Sequence, residues 1–470
     1  MTDKQGRTAS VTDAFERALG EIRTRVCASI STITRFSIAV GYSGGLDSSV
    51  LLHLVHQYAA ARNIDVFAFH IHHGLSANAD DWLAHCERQC ARLGIVFGSR
   101  RADLGGRHES GTEEAARIGR YAALGELCRI HQIPVLLTAH HQDDQAETVL
   151  LQLLRGSGVA GLSGMDIANT AADLLGDPHL IIGRPLLALS RAALQSFADE
   201  ANIAHIDDES NADTRYARNA VRHEVMPILA KRFPGCQERF ARSAKHAQSA
   251  QRLLEELAAQ DLQGCIDGAC LDIGQLKRLN LDRIDNLLRH WLGLRGVRMP
   301  STSWLIEMRT QLLEAKADAQ IHVAHPDCDI RRYRDRLFLT PKSSIDPSSV
   351  PPSAFRWNGE AQLPFLSYGG ILHFETASQG IDAEWLRRQD LSLRFRYGGE
   401  RLKLASNRST RSLKHHYQAL NVPAWERERL PLVTLDDHVL FAAGIGMDCH
   451  HFSTSTGSRI CFRWQPDHEE

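Results

Sequence analysis

The chain has 470 residues, too many for one compact core, so its length predicts two or three domains. Hydrophobic residues make up 43% and charged residues 23%, as in ordinary globular proteins, and a formal net charge of -2 excludes a chain that is polycationic throughout. No apolar run approaches the roughly 20 residues of a membrane span, and the first ten residues lack the apolar centre of a signal peptide. We therefore expect a cytoplasmic protein that does not bind a membrane.

Short β-rich segments alternate with helical segments between about residues 36 and 190. The predicted strands are 36–40, 65–73, 95–100, 134–140 and 179–187, and the predicted helices include 80–94 and 111–131. This alternation is typical of an α/β fold with a doubly wound parallel sheet. Ligands of such sheets bind beyond the carboxyl ends of the strands.

The pattern changes after about residue 215, where long helical segments predominate. A Pro- and Ser-rich segment follows at 341–353, and short strands with glycine turns come after it. We therefore predict a helical middle domain and a small α+β C-terminal domain behind the α/β domain. The predicted parts are a catalytic domain at 1–235, the middle domain at 236–342, a linker at 343–353 and the C-terminal domain at 354–470.

The stretch GYSGGLDSSVLLHL, residues 41–54, places glycines and serines between a predicted strand and a predicted helix. Gly44 and Gly45 let successive backbone N–H groups turn toward one point. The hydroxyls of Ser43 and Ser48 add donors, and the helix N-terminus adds positive potential. These features predict a phosphate cradle. The cradle is not of the Walker A type, because no lysine stands in the turn.

A second group of ionisable residues follows the predicted strand that ends at residue 140. The segment LLTAHHQDDQAETVLLQLLRGSGVAGLSGM, residues 136–165, contains two adjacent histidines and, directly after them, three carboxylates. Asp144 and Glu147 are three residues apart, so their side chains can share one face of a helix. Asp143 serves equally well as a simple helix cap. In a chain with a phosphate cradle, this group indicates metal binding and acid/base chemistry.

The hexapeptide SGGLDS, placed after a strand, resembles the PP-loop of the ATP pyrophosphatase superfamily, whose members split ATP into AMP and pyrophosphate. The resemblance implies ATP as a substrate and Mg²⁺ as the ion that bridges its phosphates. It implies Asp47 and Asp144 as ligands of that ion. The implied ATP-binding residues are Ser43, Gly44, Gly45, Leu46, Asp47 and Ser48.

The sequence HHQDDQAET, followed by RGSG, resembles the signature of one family, the tRNA(Ile)-lysidine synthases. The segment from Ile71, IHHGLSANADDWLAHC, is similar to the loop of that family in which adenine docks. The segment from Asp208, DESNADTRYARNAVRHEVMPIL, is similar to its arginine-containing motif. The resemblance implies a ligase that joins L-lysine to C2 of the wobble cytidine in a CAU-anticodon tRNA(Ile). It further implies an adenylated tRNA intermediate and release of AMP and pyrophosphate.

We also predict catalytic roles for Asp47, Asp144, Glu147 and Arg218. Asp47 acts with the phosphates, and Asp144 and Glu147 hold the lysine and take the proton from its amine, which is protonated at neutral pH. Arg218 steers the negatively charged intermediate. Arg215, in the same motif, is equally consistent with a solvent-exposed helix face.

Residues 394–429 contain nine basic and three acidic side chains, interleaved with aromatic ones. Such a local excess suits phosphate contacts and stacking on exposed bases. The segment resembles the tRNA-gripping module of the family. The implied tRNA-binding residues are Arg394, Arg396, Arg401, Lys403, Arg411 and Lys414.

Two alternatives stay open at this point. A PP-loop enzyme that thiolates a tRNA cytidine would need paired cysteines, and the ten cysteines here include no C-x-x-C pair. A non-catalytic ATP-dependent RNA-binding protein would not need so many ionisable groups at one strand end. The oligomeric state is open as well, a homodimer included, and residues 1–35 have no assigned role.

Overall fold

A six-stranded sheet organises the first part of the chain. Its strand order is β3-β2-β1-β4-β6-β5. The first five strands in this order run parallel, and the short β5 at the edge pairs antiparallel with β6. The elements are α1 Thr2–Ser29, β1 Ser37–Gly41, α2 Leu46–Ala60, β2 Asp65–His72, α3 Ala79–Leu93, β3 Val96–Arg101, α4 Thr112–Ile130, β4 Val135–Leu137, α5 Gln142–Leu154, α6 Val159–Leu162, β5 Ala168–Thr170, α7 Ala172–Leu175, β6 Ile181–Gly183 and α8 Arg191–Ala201. Helices α9 Ala217–Ala220, α10 Met226–Arg232 and α11 Cys236–Cys265 follow, with a π-helical turn, Val221–Val225, between α9 and α10. The doubly wound α/β prediction is therefore confirmed.

This computed structural model describes residues 2–29, 36–72, 74, 78–101, 112–206, 213–315, 321–342, 347–454 and 457–467. The chain divides into two compact units, Met1–Leu257 and Ala258–Glu470. The predicted division at 235, 342 and 353 stays a prediction. Within the described part, no helix combines the length and apolar character that crossing a bilayer requires.

The strand order reverses between β1 and β4, which lie side by side at the centre of the sheet. Val40 pairs with Leu137 near the carboxyl ends of these two strands. Because the crossovers on either side of this point leave in opposite directions, a crevice opens beyond the two strand ends. The predicted cradle and the predicted acidic helix therefore meet there.

The N-terminal helix α1, to which the sequence assigned no role, covers part of one sheet face. Val11, Phe15, Leu19, Ile22 and Val26 are buried in the same apolar cluster as strand β1 and helix α2. Their spacing of three and four residues forms one helical stripe. The helix is therefore part of the core of the first unit.

The second unit consists of antiparallel sheets and short helices. The middle part contains β7 Ile266–Asp267, β8 Cys270–Asp272, α12 Ile273–Leu276, α13 Leu281–Gly293, α14 Thr302–Glu314, β9 His322–Ala324, β10 Cys328–Tyr333 and β11 Arg336–Pro341. The rest contains β12 Ser353–Phe355, β13 Gln362–Phe365, β14 Gly370–Asp382, α15 Ala383–Leu386, β15 Leu391–Arg394, β16 Arg401–Leu402, β17 Arg411–Ser412, α16 Leu413–Ala419, α17 Ala424–Arg427, β18 Leu432–Leu435, β19 His438–Ala442, β20 Gly446–Met447 and β21 Arg459–Pro466. The C-terminal region thus combines strands and helices, as predicted for an α+β domain.

The middle part is not purely helical, which differs from its prediction. Its strands form a five-stranded antiparallel sheet in the order β7-β8-β11-β10-β9. Burial alternates along β10, with every second side chain from Cys328 buried. This period of two was hidden because a charged residue, Arg332, occupies one of the buried positions, while α13 and α14 carry the apolar signal of helices. Part of the predicted linker, at 343–346, lies outside the described residues.

The packing of α1 predicts that substitutions on its buried and exposed faces change the stability of the protein by different amounts. Replacing the buried Phe15 by alanine should lower the free energy of unfolding by about 3 to 5 kcal/mol, because it removes a ring and leaves a cavity. Replacing the exposed Arg17 by alanine should change it by about 0.5 kcal/mol at most. Urea denaturation of both variants checks this. Equal losses for the two would contradict the placement of α1 in the core.

Candidate active site

The loop between β1 and α2 forms the predicted cradle. Gly45 is the N-cap of α2, and its backbone is extended, with φ of -71° and ψ of 165°. The hydroxyl of Ser48 donates to the carbonyl oxygen of Gly45 at 3.0 Å and accepts from the backbone N–H of Ser43 at 3.3 Å. These bonds close the turn from within. The first N–H groups of α2, from Leu46 onward, have no intrahelical partner and point out of the helix end.

The two cradle positions favour glycine for different physical reasons. Gly44 has a positive φ of 86°, and a Cβ atom there would lie 2.9 Å from Cys86 Sγ and 3.0 Å from Ile206 Cδ1. Packing within the protein therefore requires a glycine at this position. Gly45 has a negative φ, and the nearest atom to a Cβ there, Ser43 Oγ, is 3.5 Å away. The space beside Gly45 is open for a ligand that approaches the backbone closely.

Helix α5 begins where β4 delivers the chain to the crevice. His141 is its N-cap, and its Nδ1 accepts from the backbone N–H of Asp144 at 3.4 Å. Asp144 Oδ2 in turn accepts from the backbone N–H of His141 at 3.0 Å. This reciprocal capping box fixes both side chains at the first turn. Asp143 lies outside this arrangement and accepts from the backbone N–H of Arg191 at 2.8 Å.

His141 also joins the two parts of the site. Its Nε2 atom lies 3.6 Å from Asp47 Oδ2 and 3.4 Å from Asp144 Oδ2. Burial lowers the pKa of this imidazole, but Asp47 and Asp144 outweigh that effect and raise it overall. The imidazole of His141 therefore lies between Asp47 of the cradle and Asp144 of helix α5.

Asp144 and Glu147 face two arginines that come from the chain about 75 residues later. Arg218 donates to Asp144 Oδ1 at 2.9 Å and to Glu147 Oε2 at 3.0 Å. Arg222 donates to Asp144 Oδ1 at 2.8 Å and to both Glu147 oxygens, at 2.7 and 2.9 Å. We call these four residues the carboxylate–arginine network. Burial disfavours the charged form of Asp144, yet His141 and Arg218 lower the pKa of that carboxyl to about 2.

The π-helical turn places the second of these arginines. Arg218 lies in α9 and Arg222 in the π turn, so both side chains point to the same side of this helical segment. An extra residue in one turn re-aims the side chains that follow it, and such turns are frequent at functional sites. The family motif included Arg222, but its role in the site was not predicted from the sequence. The start of that motif, from 208 to 212, lies outside the described residues.

His140 lies beside the network, and its pKa is shifted in the opposite direction from that of His141. Its Nδ1 atom is 2.9 Å from Thr138 Oγ1. Desolvation lowers its pKa to about 3, against the influence of Asp144 and with that of Arg184 and Arg218. The imidazole of His140 is therefore neutral at physiological pH.

Comparison with known proteins gives matches along most of the chain. A PP-loop domain matches residues 16–229, a TilS substrate binding domain matches 271–338, and a TilS substrate C-terminal domain matches 391–464. The tRNA(Ile)-lysidine synthase of Ralstonia nicotianae is 40% identical over 439 residues, which cover 92% of this chain and 93% of that protein. Those of Alkalilimnicola ehrlichii and Coxiella burnetii are 39% and 37% identical, with 91% and 88% of this chain covered and 94% and 90% of theirs.

The chain belongs to the tRNA(Ile)-lysidine synthase family. Its first unit accordingly contains the PP-loop domain of an ATP-using enzyme, and the predicted cradle at 43–48 lies within the matched residues. The predicted fold, the predicted family and the use of ATP are thereby confirmed. The adenine-docking loop predicted after Ile71 lies partly outside the described residues, at 73 and 75–77.

Two glutamines that sequence reasoning missed hold the loop after α6 in this lysidine synthase family member. Gln145 is buried on α5, donates to the carbonyl oxygen of Met165 at 2.9 Å and accepts from the N–H of Met165 at 2.8 Å. Gln248 on α11 donates to the carbonyl oxygens of Met165 and Ser163 at 3.0 and 2.9 Å. The loop is thus fixed from two helices. No sequence signal marks Gln248, whereas Gln145 stands inside the HHQDDQAET motif.

The predicted tRNA-binding residues separate into two groups in the second unit. Arg394 donates to Glu400 Oε1 at 3.0 Å, and Arg396 Nε lies 3.9 Å from Glu400 Oε2. Both arginine side chains are about 14% exposed or less, so their charges are partly committed to Glu400. The other four are Arg401, Lys403, Arg411 and Lys414, of which Lys403 is half-buried and the rest are exposed.

The contrast between the two cradle glycines can be tested with one methyl group at each position. Gly44→Ala should lower the free energy of unfolding by about 1 to 3 kcal/mol, because alanine is strained at a positive φ and meets Cys86 and Ile206. Gly45→Ala should cost about 1 kcal/mol or less but weaken ATP binding about tenfold, because the methyl group occupies space that a phosphate needs. Thermal unfolding and ATP titration measure the two effects. The reverse pattern would show that the glycines have been assigned the wrong roles.

Proposed function

We propose that this protein ligates L-lysine to C2 of the wobble cytidine in CAU-anticodon tRNA(Ile), through an adenylated tRNA, with release of AMP and pyrophosphate. The observation that carries the proposal is the position of the carboxylate–arginine network directly beside the PP-loop. Asp47 in the cradle and Asp144 in the network both lie within 3.6 Å of His141 Nε2. A cytosine that is activated at the ATP phosphates would therefore lie in the same crevice as the lysine amine that the carboxylates hold.

In the first step, the C2 carbonyl oxygen of the cytosine attacks the α-phosphorus of ATP and pyrophosphate leaves. The N–H groups at the start of α2 and the hydroxyl of Ser43 are placed to stabilise the charge on the departing phosphates. The unpaired bases of an anticodon loop can leave their stack at little cost, which allows the cytosine to enter the crevice. The step turns the C2 oxygen into a good leaving group.

In the second step, the ε-amine of lysine attacks C2 and AMP leaves. The amine is protonated in water, with a reference pKa of about 10.4, so a carboxylate must hold it and accept its proton. Asp144, with a pKa of about 2, is a weak base and is suited to anchoring positive charge. We therefore assign proton acceptance to Glu147. The lysine ammonium takes over contacts that Arg218 and Arg222 make with these carboxylates.

Mg²⁺ fits the cradle through Asp47. The Oδ1 atom of Asp47 is buried and has no hydrogen-bond partner among the described residues. Mg²⁺ commonly takes one or two protein carboxylates and completes its shell with phosphate oxygens and water. No group of three His, Cys, Asp or Glu side chains that could hold an ion by themselves occurs in the described part of the chain. Both oxygens of Asp144 are already engaged, so we propose Asp47 as the main protein ligand. When bound, the ion supplies charge neutralisation at the phosphates.

The remaining predictions concern partners and location. We propose that Arg401, Lys403, Arg411 and Lys414 contact the tRNA backbone, and that Arg394 and Arg396 mainly support them through Glu400. A cytoplasmic location and a homodimer stay predictions. A cytidine thiolase is not favoured, because the curated relatives that match about nine-tenths of this chain are tRNA(Ile)-lysidine synthases.

The direct test is AMP formation from ATP by the full chain with Mg²⁺, unmodified CAU-anticodon tRNA and each amino acid in turn. We expect lysine-dependent AMP release and a lysyl adduct on the wobble cytidine, seen by mass analysis of the tRNA. AMP release without incorporation of lysine would reject the ligase function and leave the PP-loop chemistry. No AMP release would favour an RNA-binding protein without catalytic activity.

Removing the proposed proton acceptor should affect lysine transfer more than ATP binding. Glu147→Gln should slow lysidine formation about 100-fold or more, the usual range for loss of a general base. The control Glu87→Gln changes an exposed side chain of α3 and should leave the rate unchanged. Single-turnover assays with preformed adenylated tRNA measure the step, and thermal unfolding checks the fold. Normal transfer by folded Glu147→Gln would remove Glu147 from the mechanism.

The two groups of C-terminal basic residues should respond differently to substitution. Arg411→Gln with Lys414→Gln should weaken tRNA binding and reduce the salt dependence of log K by about 2, one for each lost phosphate contact. Arg394→Gln should instead destabilise the second unit by about 1 to 3 kcal/mol, because it removes the guanidinium that donates to the largely buried Glu400 carboxylate. Filter binding over a salt series and urea denaturation separate the outcomes. An unchanged salt slope in the double variant would reject these two contacts.

A further inference from the structure

An arginine-rich cavity of about 500 Å³ lies next to the carboxylate–arginine network in the first unit. It extends from His140 at the end of β4 along one side of α4 and α5. Its volume is that of an ordinary small-molecule or nucleotide pocket. Five of its lining residues are arginines: Arg117, Arg155, Arg184, Arg215 and Arg218.

The charged side chains that line this cavity are all arginines, of which Arg215 pairs with Asp213 and Arg218 with Asp144 and Glu147. None of the described lining residues is acidic. Arg184 is buried, and its Nη1 donates to the carbonyl oxygen of Asp166 and to Asn169 Oδ1, at 2.8 and 2.6 Å. The Nε of Arg184 is buried with no hydrogen-bond partner among the described residues. Burial lowers the pKa of Arg184 and the neighbouring Arg117 adds to this effect, whereas Tyr121 and Asp166 oppose it.

Apolar and aromatic side chains line the cavity as well. Tyr121, Leu151, Met165 and Tyr216 line it, and the Arg117 guanidinium carbon lies 5.6 Å from the centre of the Tyr121 ring. Met165 is held in place by Gln145 and the helix α11 glutamine described above. The cavity therefore offers guanidinium groups for an anion and aromatic and apolar surface for a ring. This combination suits a nucleotide better than a free inorganic ion.

We propose that this cavity binds the RNA phosphodiester groups that flank the target cytidine. The inference rests on the proposed function, because it takes the substrate to be an RNA whose reactive base enters the neighbouring crevice. Arg117 and Arg155 stand at the exposed rim and meet the phosphates first. Arg184, with its unpartnered Nε, forms the floor.

The shared residue Arg218 connects this cavity with the amine-binding carboxylates. It lines the cavity and also donates to Asp144 and Glu147. A phosphate in the cavity competes with these carboxylates for the Arg218 guanidinium. RNA binding therefore releases carboxylate contacts for the lysine ammonium.

The test measures binding of an unmodified RNA anticodon stem-loop with a CAU anticodon, which lacks the rest of the tRNA, to the full chain over a series of KCl concentrations. Arg117→Gln and Arg155→Gln should each weaken binding about fivefold to tenfold and reduce the slope of log K against log salt by about 0.7 to 0.9. The control Arg129→Gln removes an exposed arginine of the same helix as Arg117, outside the cavity, and should change neither quantity.

Inorganic pyrophosphate serves as the second probe in the same assay. If the two rim variants keep the affinity and salt slope of the wild type for the stem-loop but lose binding of pyrophosphate, the cavity is a product site and the RNA proposal is wrong. Unchanged binding of both probes by folded variants overturns any anion site. The outcome is separate from the proposed function, since lysidine formation by the wild-type chain on full tRNA is measured independently.

Discussion

The pairing of two buried carboxylates with two guanidinium groups is the interaction on which the site depends. Asp144 and Glu147 come from the helix that follows β4, whereas Arg218 and Arg222 come from the segment that follows the sheet. Charges cannot leave water at this depth unless each finds a partner, and loss of one partner from such a group typically costs about 3 to 5 kcal/mol. The network therefore fixes the distant segment against α5 and shapes the crevice between them.

The same network reaches the PP-loop through one imidazole. His141 caps α5 with its Nδ1 and main chain and turns its Nε2 toward Asp47. A shift of α5 would therefore move the carboxylate face of the cradle as well. Phosphate chemistry and amine chemistry share a single rigid support, which is what a reaction in two consecutive steps at one base requires.

Local patterns in the sequence were sufficient for part of this site. The strand–glycine–helix pattern located the cradle, and the spacing of Asp144 and Glu147 located the acidic face, because both signals lie within a few residues. The pairing with Arg222 could not be read in this way, since it depends on a π turn and on contacts across about 75 residues. The commitment of Arg394 to Glu400 was likewise hidden, because a charge count does not distinguish an exposed arginine from a paired one. The apolar stripe of α1 is also a local pattern, and its helical spacing is sufficient to predict a helix that packs in the core.

The attachment of α11 to the loop after α6 has a practical consequence for dividing the protein into fragments. Gln248 bonds to Ser163 and Met165, and Cys236 and Phe240 pack in the apolar cluster that covers Leu150 of α5. An excised ATP-binding fragment that stopped at residue 235 would expose this cluster and release the loop. A fragment that retains the site must keep most of α11 and end near Leu257, where the first compact unit ends.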